Sequence, residues 1–167
     1  MMPSLIATLH LHPEHQLFFD KLRDAHFPAH ANYLQAHITL FHHLPSNEPL
    51  IREQLLKFSK HQPISLLVQD ISCFRNGVAY SLVSEELQQL HLTMQEAFMP
   101  WLKKRDQQKL WPHITIQNKV TAFKAQMLFE KLKEDFTQFE IKATGINTWL
   151  YLKGPWKLMD TLPFENE

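Results

Sequence analysis

A four-residue pattern that occurs once in each half of the chain constrains the fold more than any other feature. The segments His37-Ile38-Thr39-Leu40 and His113-Ile114-Thr115-Ile116 both read His-apolar-Thr-apolar, and each lies between two stretches with helical periodicity. Their histidines are 113 − 37 = 76 positions apart, close to half of the 167 residues. Repetition at this distance indicates a duplicated unit. We therefore expect residues 1–167 to form a single domain with two lobes that face each other.

The spacing of apolar residues predicts a mixed order of strands and helices. Strands are expected over residues 4–11, 36–42, 64–74, 78–83, 111–118, 139–143, 148–153 and 156–162. Helices are expected over residues 13–25, from a cap at Ser46 or Asn47 to about residue 60, over 85–102 after Ser84, and over 122–136 after Thr121. Asn76-Gly77 is typical of a hairpin turn with positive φ. This order is typical of the α+β class rather than of alternating βαβ units.

The alternation of side chains along a strand places each motif histidine beside its own threonine. Residues two apart in a strand share a face, so His37 and Thr39 point one way while the apolar residues between and after them point the other. The same holds for His113 and Thr115. If the two lobes bring these faces together, one cleft holds two imidazoles and two hydroxyls.

Such a set of side chains suits the chemistry of phosphate esters. A neutral imidazole can take a proton from water or a ribose hydroxyl, and a protonated one can give a proton to the leaving oxygen. Hydroxyls can hydrogen-bond the non-bridging phosphate oxygens. His37 and His113 are therefore the candidate catalytic pair, and Thr39 and Thr115 the candidate phosphate ligands. No metal or other cofactor is expected, and the sequence does not say which histidine is the acid.

A third match to the pattern has a different interpretation. His91-Leu92-Thr93-Met94 lies inside the helix predicted over residues 85–102. Residues two apart do not share a face on a helix. Strand context therefore selects two of the three matches.

Composition excludes several classes of function. The 17 basic and 17 acidic residues balance, which argues against a broad, charge-driven nucleic-acid surface. The three glycines form no Gly-rich phosphate loop. The single cysteine, Cys73, permits no internal disulfide, is expected to be buried, and favours a cytoplasmic location. Neither a signal peptide nor a membrane-spanning segment is expected, and no obligate protein partner is evident.

Four further residues are weighed as contacts for a substrate. Phe41 and Lys119 share the strand parity of their motifs and are candidate substrate contacts: Phe41 could stack on a nucleobase, and Lys119 could reach a phosphate if its strand continues. Core packing of Phe41 and a solvated strand end at Lys119 are the alternatives. Trp111 and Trp156 have the same status as Phe41.

A metal site at the first motif is not expected. His42 and His43 directly follow that motif, so a site with His37 can be imagined. The chain has no His-Glu-x-x-His motif, however, and the neighbouring carboxylates lack the spacing of metal ligands.

The two motifs and their spacing resemble those of the two-histidine (2H) phosphoesterase superfamily, which includes the 2′-5′ RNA ligases and the cyclic phosphodiesterases. The similarity covers nearly the whole chain, including the strand at 4–11, Leu22-Arg23 before Phe27-Pro28, and the region 151–156. It implies a bilobal, pseudo-two-fold α+β fold with antiparallel or mixed sheets around a central cleft and helices on the outside.

The resemblance also implies functional roles for the motif residues. His37 and His113 would be catalytic, and Thr39 and Thr115 would bind phosphate. The substrates would be 2′,3′-cyclic nucleotides, other cyclic phosphates or 2′-5′-linked RNA. Many RNA-acting members carry an arginine shortly after the second motif, where this chain has Gln-Asn-Lys at 117–119.

The leading hypothesis is a metal-independent phosphodiesterase that acts on a cyclic nucleotide or an RNA-terminal phosphate ester, with a role in RNA processing. RNA 2′-5′ ligation is a second reading. A non-catalytic nucleotide- or RNA-binding module on the same fold is a third.

Overall fold

Seven β-strands and four α-helices make up residues 2–165, the part of the chain that the computed structural model describes. The strands are β1 Ser4–Leu11, β2 Thr39–Pro45, β3 Ile64–Phe74, β4 Gly77–Val83, β5 His113–Gln117, β6 Phe139–Tyr151 and β7 Trp156–Pro163. The helices are α1 Pro13–His26, α2 Pro49–Phe58, α3 Glu85–Phe98 and α4 Ala122–Glu134. Short 3-10 segments lie at Ala29–Ala31, Met99–Trp101 and Lys104–Gln107.

The strands form one antiparallel sheet with an internal symmetry. Their order is β2-β1-β6-β3-β4-β5, with β7 paired to β6. This order reads the same from either end when β1, β2 and β3 are exchanged for β4, β5 and β6. The units β1-α1-β2-α2-β3 and β4-α3-β5-α4-β6 are therefore two copies of one arrangement. The predicted α+β class and the duplication are confirmed.

The core is shared between the two copies of the unit. Phe19 of α1 packs against Tyr80 of β4, with ring centroids 5.4 Å apart. From the second unit, α3 packs against β2 of the first: the ring centroid of Phe41 lies 4.7 Å from that of His91 and 5.4 Å from that of Phe98. Each of these helices thus covers strands of the other unit. Burial of such apolar side chains is the main stabilising contribution, so neither unit has a complete core alone.

Capping residues explain where the helices begin. The side chains of Ser84 and Thr121 accept hydrogen bonds from the backbone N–H of Leu87 and Lys124, as predicted for α3 and α4. The start of α2 was predicted too early. Glu48 is its cap and Pro49 its first residue, because proline lacks the N–H that the first helical turn leaves unpaired.

Two glycines explain where the predicted strands and turn were wrong. Strand β6 is continuous where two strands were expected, and Gly145 lets the backbone of β7 approach, since an added Cβ would lie 2.6 Å from the oxygen of Leu162. Within residues 2–165, positive φ occurs at 119, 153 and 154 and not in the Asn76-Gly77 turn. An added Cβ at Gly77 would overlap the backbone of Gln117. Close packing, not positive φ, requires this glycine.

Cys73 lies at the hairpin end of β3 and is exposed. The prediction of a buried thiol was wrong, because this end of the hairpin projects into solvent together with Arg75 and Asn76. Of the helices in the described part of the chain, none has the length and apolar character needed to cross a membrane.

Candidate active site

The two motifs lie on β2 and β5, the outermost strands in the sheet order given above. His113 is the first residue of β5, two positions after the start predicted at residue 111. The ladder of β2 begins only at Thr39, so the strand predicted from residue 36 starts too early. Its pairing reaches back as far as Ile38, whose carbonyl accepts from the N–H of Leu9 at 3.0 Å.

Burial alternates along both motifs as the strand geometry requires. Ile38, Leu40, Ile114 and Ile116 are buried in the core. His37, Thr39, His113 and Thr115 are all half-buried, which leaves part of each side chain accessible. The predicted alternation between a buried face and an accessible face is therefore present in both copies.

The two imidazoles are held in the same way. Nδ1 of His37 donates to the backbone carbonyl of Gln35 at 2.7 Å, and Nδ1 of His113 donates to the carbonyl of Trp111 at 2.8 Å. In each case the acceptor lies two residues before the histidine. Because a carbonyl can only accept, the proton of the neutral ring is placed on Nδ1. Both Nε2 atoms are left free to exchange a proton with a ligand.

Each motif histidine also lies against a tryptophan. The ring of His113 stacks on Trp111, with centroids 4.0 Å apart and an angle of 15° between the planes. The ring of His37 lies 4.7 Å from Trp156, tilted by 53°. Aromatic faces therefore border both imidazoles, which limits their rotation and excludes part of the surrounding water.

Arg23 connects the two motif regions. It is a buried residue of α1, and its Nη1 donates to the carbonyl of Thr115 at 2.9 Å. Its Nε donates to Oδ1 of Asn32 at 3.1 Å, and its guanidinium lies 4.1 Å above the ring of Phe27. Burial lowers the pKa of Arg23, and the charges of nearby carboxylates oppose that effect. The segment before the first motif is thus tied to the backbone of the second.

The surroundings of His37 favour its neutral form. Burial is the largest effect that lowers its pKa, and the positive charges of Arg23, His113 and His42 lower it as well, against the hydrogen bond to Gln35 that raises it. The resulting pKa is about 4. An imidazole with this pKa is neutral at pH 7.

The pKa of His113 is also lowered, again by burial first. The hydrogen bond to the Trp111 carbonyl raises it, and the charges of His42 and Arg105 lower it. The two motif histidines therefore have different surroundings in spite of their matching hydrogen bonds. A difference of this kind is what separates an acid from a base in a catalytic pair.

A cavity of about 120 Å³ opens beside His37. Its walls come from the segment before the first motif, from β1 and from the β6–β7 hairpin. They include Thr8, Tyr33, Gln35, Asn147, Trp149 and Trp156. Nε1 of Trp149 donates to Oγ1 of Thr8 at 3.0 Å, which fixes one wall. His113, Thr39 and Thr115 do not line this cavity, so it lies to the His37 side of the pair.

Two candidate contacts do not face the site. Phe41 is completely buried and stacks on His91, because a bulge in β2 turns it toward α3. This position leaves no ring face for a nucleobase. Lys119 follows the end of β5 at Gln117 and has φ 59°, so the strand on which its predicted reach depended does not continue. We omit both from the proposed site.

The third sequence match lies on a helix, as expected. His91 is a buried residue of α3, and its Nε2 bonds the carbonyl of Leu40 at 2.9 Å. It therefore anchors α3 to the strand of the first motif rather than facing a ligand.

Asp106, a buried carboxylate in the segment Lys104–Gln107, was not predicted from the sequence. It accepts from the backbone N–H groups of His42 and His43 and contacts Nδ1 of His42 at 3.2 Å. Its partners are more than 60 positions away in the chain, and no local pattern marks them. Groups of three or more His, Cys, Asp or Glu side chains placed to hold a metal ion are absent from residues 2–165.

A family model described as the 2′-5′ RNA ligase superfamily matches residues 11–155, which include both motifs and most of the chain. The chain belongs to this superfamily. The expected resemblance to the two-histidine phosphoesterases is thereby confirmed. Curated proteins yield no match to the sequence.

Solved structures share the fold of this chain. A Thermus thermophilus protein matches with a TM-score of 0.64 at 14% identity, over 98% of this chain and 99% of the other. A structure described as a phosphoesterase matches with a TM-score of 0.61 at 15% identity, with the same coverage. Escherichia coli LigT in complex with 3′-AMP matches with a TM-score of 0.59 at 14% identity, also over 98% and 99%. At these identities the likeness shows the fold.

Proposed function

We propose that this member of the superfamily is a phosphodiesterase that opens a 2′,3′-cyclic nucleotide or an RNA-terminal phosphate ester without a metal ion. The observation that carries the proposal is the matched pair of Nδ1 hydrogen bonds at His37 and His113, which leaves both Nε2 atoms for the substrate. An acid and a base of this kind each contribute about 10²–10⁴-fold to a rate. Family membership supports a phosphoesterase or ligase-like enzyme.

We assign the general base to His37 and the general acid to His113. His37, with a pKa of about 4, is neutral at pH 7 and its Nε2 can take a proton from the attacking water. The water oxygen forms a bond to phosphorus while the bond from phosphorus to the ribose 2′ or 3′ oxygen breaks. His113 takes part in its protonated form and gives the proton on Nε2 to that leaving oxygen. Proton exchange with solvent then returns His37 to its neutral form and His113 to its protonated form.

The two threonines complete the proposed phosphate site. Thr39 and Thr115 are half-buried beside their histidines, so their hydroxyls are accessible to a ligand. Each can donate to a non-bridging oxygen, where charge increases in the transition state.

We place the base of the nucleotide against the aromatic wall of the cavity on the His37 side. Trp149 and Trp156 offer aromatic faces there, and Asn147 offers an amide for a base edge. Base–aromatic stacking contributes roughly 1–3 kcal/mol per base. Structures of Escherichia coli LigT with 3′-AMP, ATP and NADP⁺ support a nucleotide as the ligand class. A cytoplasmic location and a role in RNA processing belong to the same proposal.

A panel of substrates tests the proposed reaction. The protein is incubated with 2′,3′-cyclic AMP, GMP, CMP and UMP and with 2′-5′-linked dinucleotides, each with and without EDTA. We expect ring opening that EDTA leaves unchanged, because the two imidazoles carry both proton transfers. Product is followed by chromatography, which also shows which ribose oxygen keeps the phosphate.

Other outcomes of this assay exclude the proposal in distinct ways. Loss of turnover in EDTA contradicts metal-independent catalysis. Binding without turnover of any substrate favours a nucleotide-binding module. Joining of RNA ends by a 2′-5′ linkage, without ring opening, favours a ligase.

The lowered pKa values of both histidines predict a pH optimum on the acid side of neutrality. Activity falls toward low pH as the base His37 becomes protonated, with an apparent pKa of about 4. It falls toward high pH as the acid His113 loses its proton, with an apparent pKa below the ordinary histidine value of about 6.5. A bell-shaped profile of kcat/KM between these limits is expected, and the two values belong to the pair. An optimum above pH 7, or a flat profile, contradicts the assignment.

A further inference from the structure

The strand of the first motif carries two irregularities that decide where His42 points. In the pairing of β2 with β1, Thr39 lies opposite Thr8, Phe41 opposite Ala7, and Leu44 opposite Leu5. One extra residue, Leu40, is therefore inserted after Thr39, and another is inserted between Phe41 and Leu44. A bulge of this kind turns two successive side chains to the same face.

The consequence is that Thr39 and His42 share a face although they are three positions apart. Leu40 and Phe41 are both buried, and Phe41 stacks on His91 of α3. Thr39 and His42 lie on the opposite face and are both half-exposed. That face also carries Thr8 and Asn147, paired across β1 and β6, which line the cavity beside His37. Simple alternation would have put His42 in the core.

Asp106 holds the ring of His42 in a fixed orientation. Its side chain is 2% exposed, whereas that of His42 is 28% exposed, and Oδ1 lies 3.2 Å from Nδ1. The carboxylate also accepts from the backbone N–H of His42 at 2.9 Å and of His43 at 2.8 Å. With Nδ1 engaged, Nε2 is the ring atom that remains for a ligand.

The charge of His42 reaches both motif histidines. It is among the groups whose positive charge lowers the pKa of His37, and it is the first such charge acting on His113. Nδ1 of His43, the next residue, lies 3.3 Å from Oγ of Ser4, the first residue of β1. Of the two adjacent histidines, His42 is the one whose ring Asp106 holds.

The corresponding position of the second motif carries no charge. The 76-residue repeat places Asn118 at the equivalent of His42, since 42 + 76 = 118. The side-chain oxygen of Asn118 accepts from the N–H of Lys119 at 2.8 Å. The duplication is thus asymmetric at this position, with a carboxylate-bound imidazole on one side only.

We propose that His42, oriented by Asp106, is a third histidine of the cleft whose Nε2, when the ring is protonated, donates to a non-bridging oxygen of the substrate phosphate. The proposal rests on the function proposed above, because it places a phosphate group between the two motifs. It makes His42 a phosphate-binding residue and Asp106 its positioning residue. Hydrogen bonds from a cationic donor to phosphate oxygens are among the stronger ones in proteins.

Amide substitutions at His42 separate this role from a purely structural one. An asparagine amide reaches about as far as Nδ1 and can still donate to Asp106, while nothing remains at Nε2. A glutamine amide reaches about as far as Nε2. His42→Asn therefore keeps the contact with Asp106 and loses the proposed ligand contact, and His42→Gln restores a donor there. His43→Asn is the matched control, because His43 shares the backbone contact with Asp106.

The measurement is the affinity for inorganic phosphate, by calorimetry or by competitive inhibition of turnover. We expect His42→Asn to weaken phosphate binding at least about 10-fold, the low end for a hydrogen bond to a charged group. His42→Gln is expected to recover part of this loss, and His43→Asn to bind as the unchanged protein does. Adenosine, which has no phosphate, is expected to bind all variants equally. Thermal melting checks that each variant is folded.

Normal phosphate affinity in folded His42→Asn overturns the inference, and so does the absence of phosphate binding by the unchanged protein. A His43→Asn variant as weak as His42→Asn overturns it as well. These outcomes are independent of the proposed reaction. Turnover that needs His37 and His113 but not His42 rejects the inference alone, whereas His42-dependent phosphate binding without turnover rejects the reaction alone.

Discussion

Alanine at His37 or at His113 is expected to lower kcat/KM by about 10²–10⁴-fold in the substrate assay, which is the range for loss of one proton-transfer group. Each substitution removes the only side-chain atom, Nε2, that the hydrogen bonds of the ring leave available. Because both proton transfers serve a single displacement at phosphorus, the two losses should not add. The double variant is expected to be about as slow as the slower single variant.

Matched variants separate chemistry from folding. Asparagine at position 37 or 113 can keep the hydrogen bond that Nδ1 makes to the backbone, and it is expected to be as inactive as alanine. His30, an exposed histidine of a 3-10 segment outside the site, is the control, and His30→Ala should retain full activity. Strictly additive losses would indicate that the two histidines act in separate steps. Full activity in a folded His113→Ala variant would remove His113 from the mechanism.

The accessible and buried faces of the two motifs could be predicted from the sequence because both motifs obey a local rule. His37, Ile38 and Thr39 alternate in burial as an extended strand requires, and the second motif does the same. The decoy at His91 could be rejected for the complementary reason, since helical periodicity surrounds it. The family resemblance rested on these same residues.

The surroundings of the motifs could not be predicted, because nonlocal contacts determine them. Alternation along β2 put Phe41 in the cleft and His42 in the core, and the bulges opposite β1 reverse both. No feature of the isolated strand marks a bulge that depends on its partner. The tilted contact of Trp156 with His37 likewise joins residues 156 − 37 = 119 positions apart.

Turn and strand errors have the same physical origin. Asn76-Gly77 satisfies the local rule for positive φ, yet the backbone of β5 is what requires the glycine. Two strands were expected over residues 139–143 and 148–153, whereas Gly145 between them permits the close approach of β7 to a continuous β6. In both cases packing against another strand, rather than the conformation of the glycine itself, determined the outcome.

The substitution Asp106→Ala is expected to reduce the free energy of unfolding by about 3 kcal/mol, because it removes a buried acceptor that several hydrogen bonds share. It leaves the backbone N–H groups of His42 and His43 without their acceptor, and each buried donor that loses its partner costs about 1–3 kcal/mol. Urea unfolding near pH 7 measures the loss. Glu96→Ala, at an exposed position on α3, is the control and should stay within about 0.5 kcal/mol.

The dependence of this loss on pH identifies the carboxylate as its source. Burial raises the pKa of Asp106, but hydrogen bonds from the side chain and backbone of His42 and from the backbone of His43 outweigh it, so the net pKa is below the ordinary value. A carboxyl with a lowered pKa stabilises the fold above its ordinary pKa of about 3.9, and that contribution is lost as the pH falls through the folded value. The stability difference between the unchanged protein and Asp106→Ala should therefore be constant from pH 5 to 7 and narrow below about pH 3.9. A difference that stays constant into acid would mean that packing, and not the charge of Asp106, holds the strand of the first motif against the segment that precedes the second.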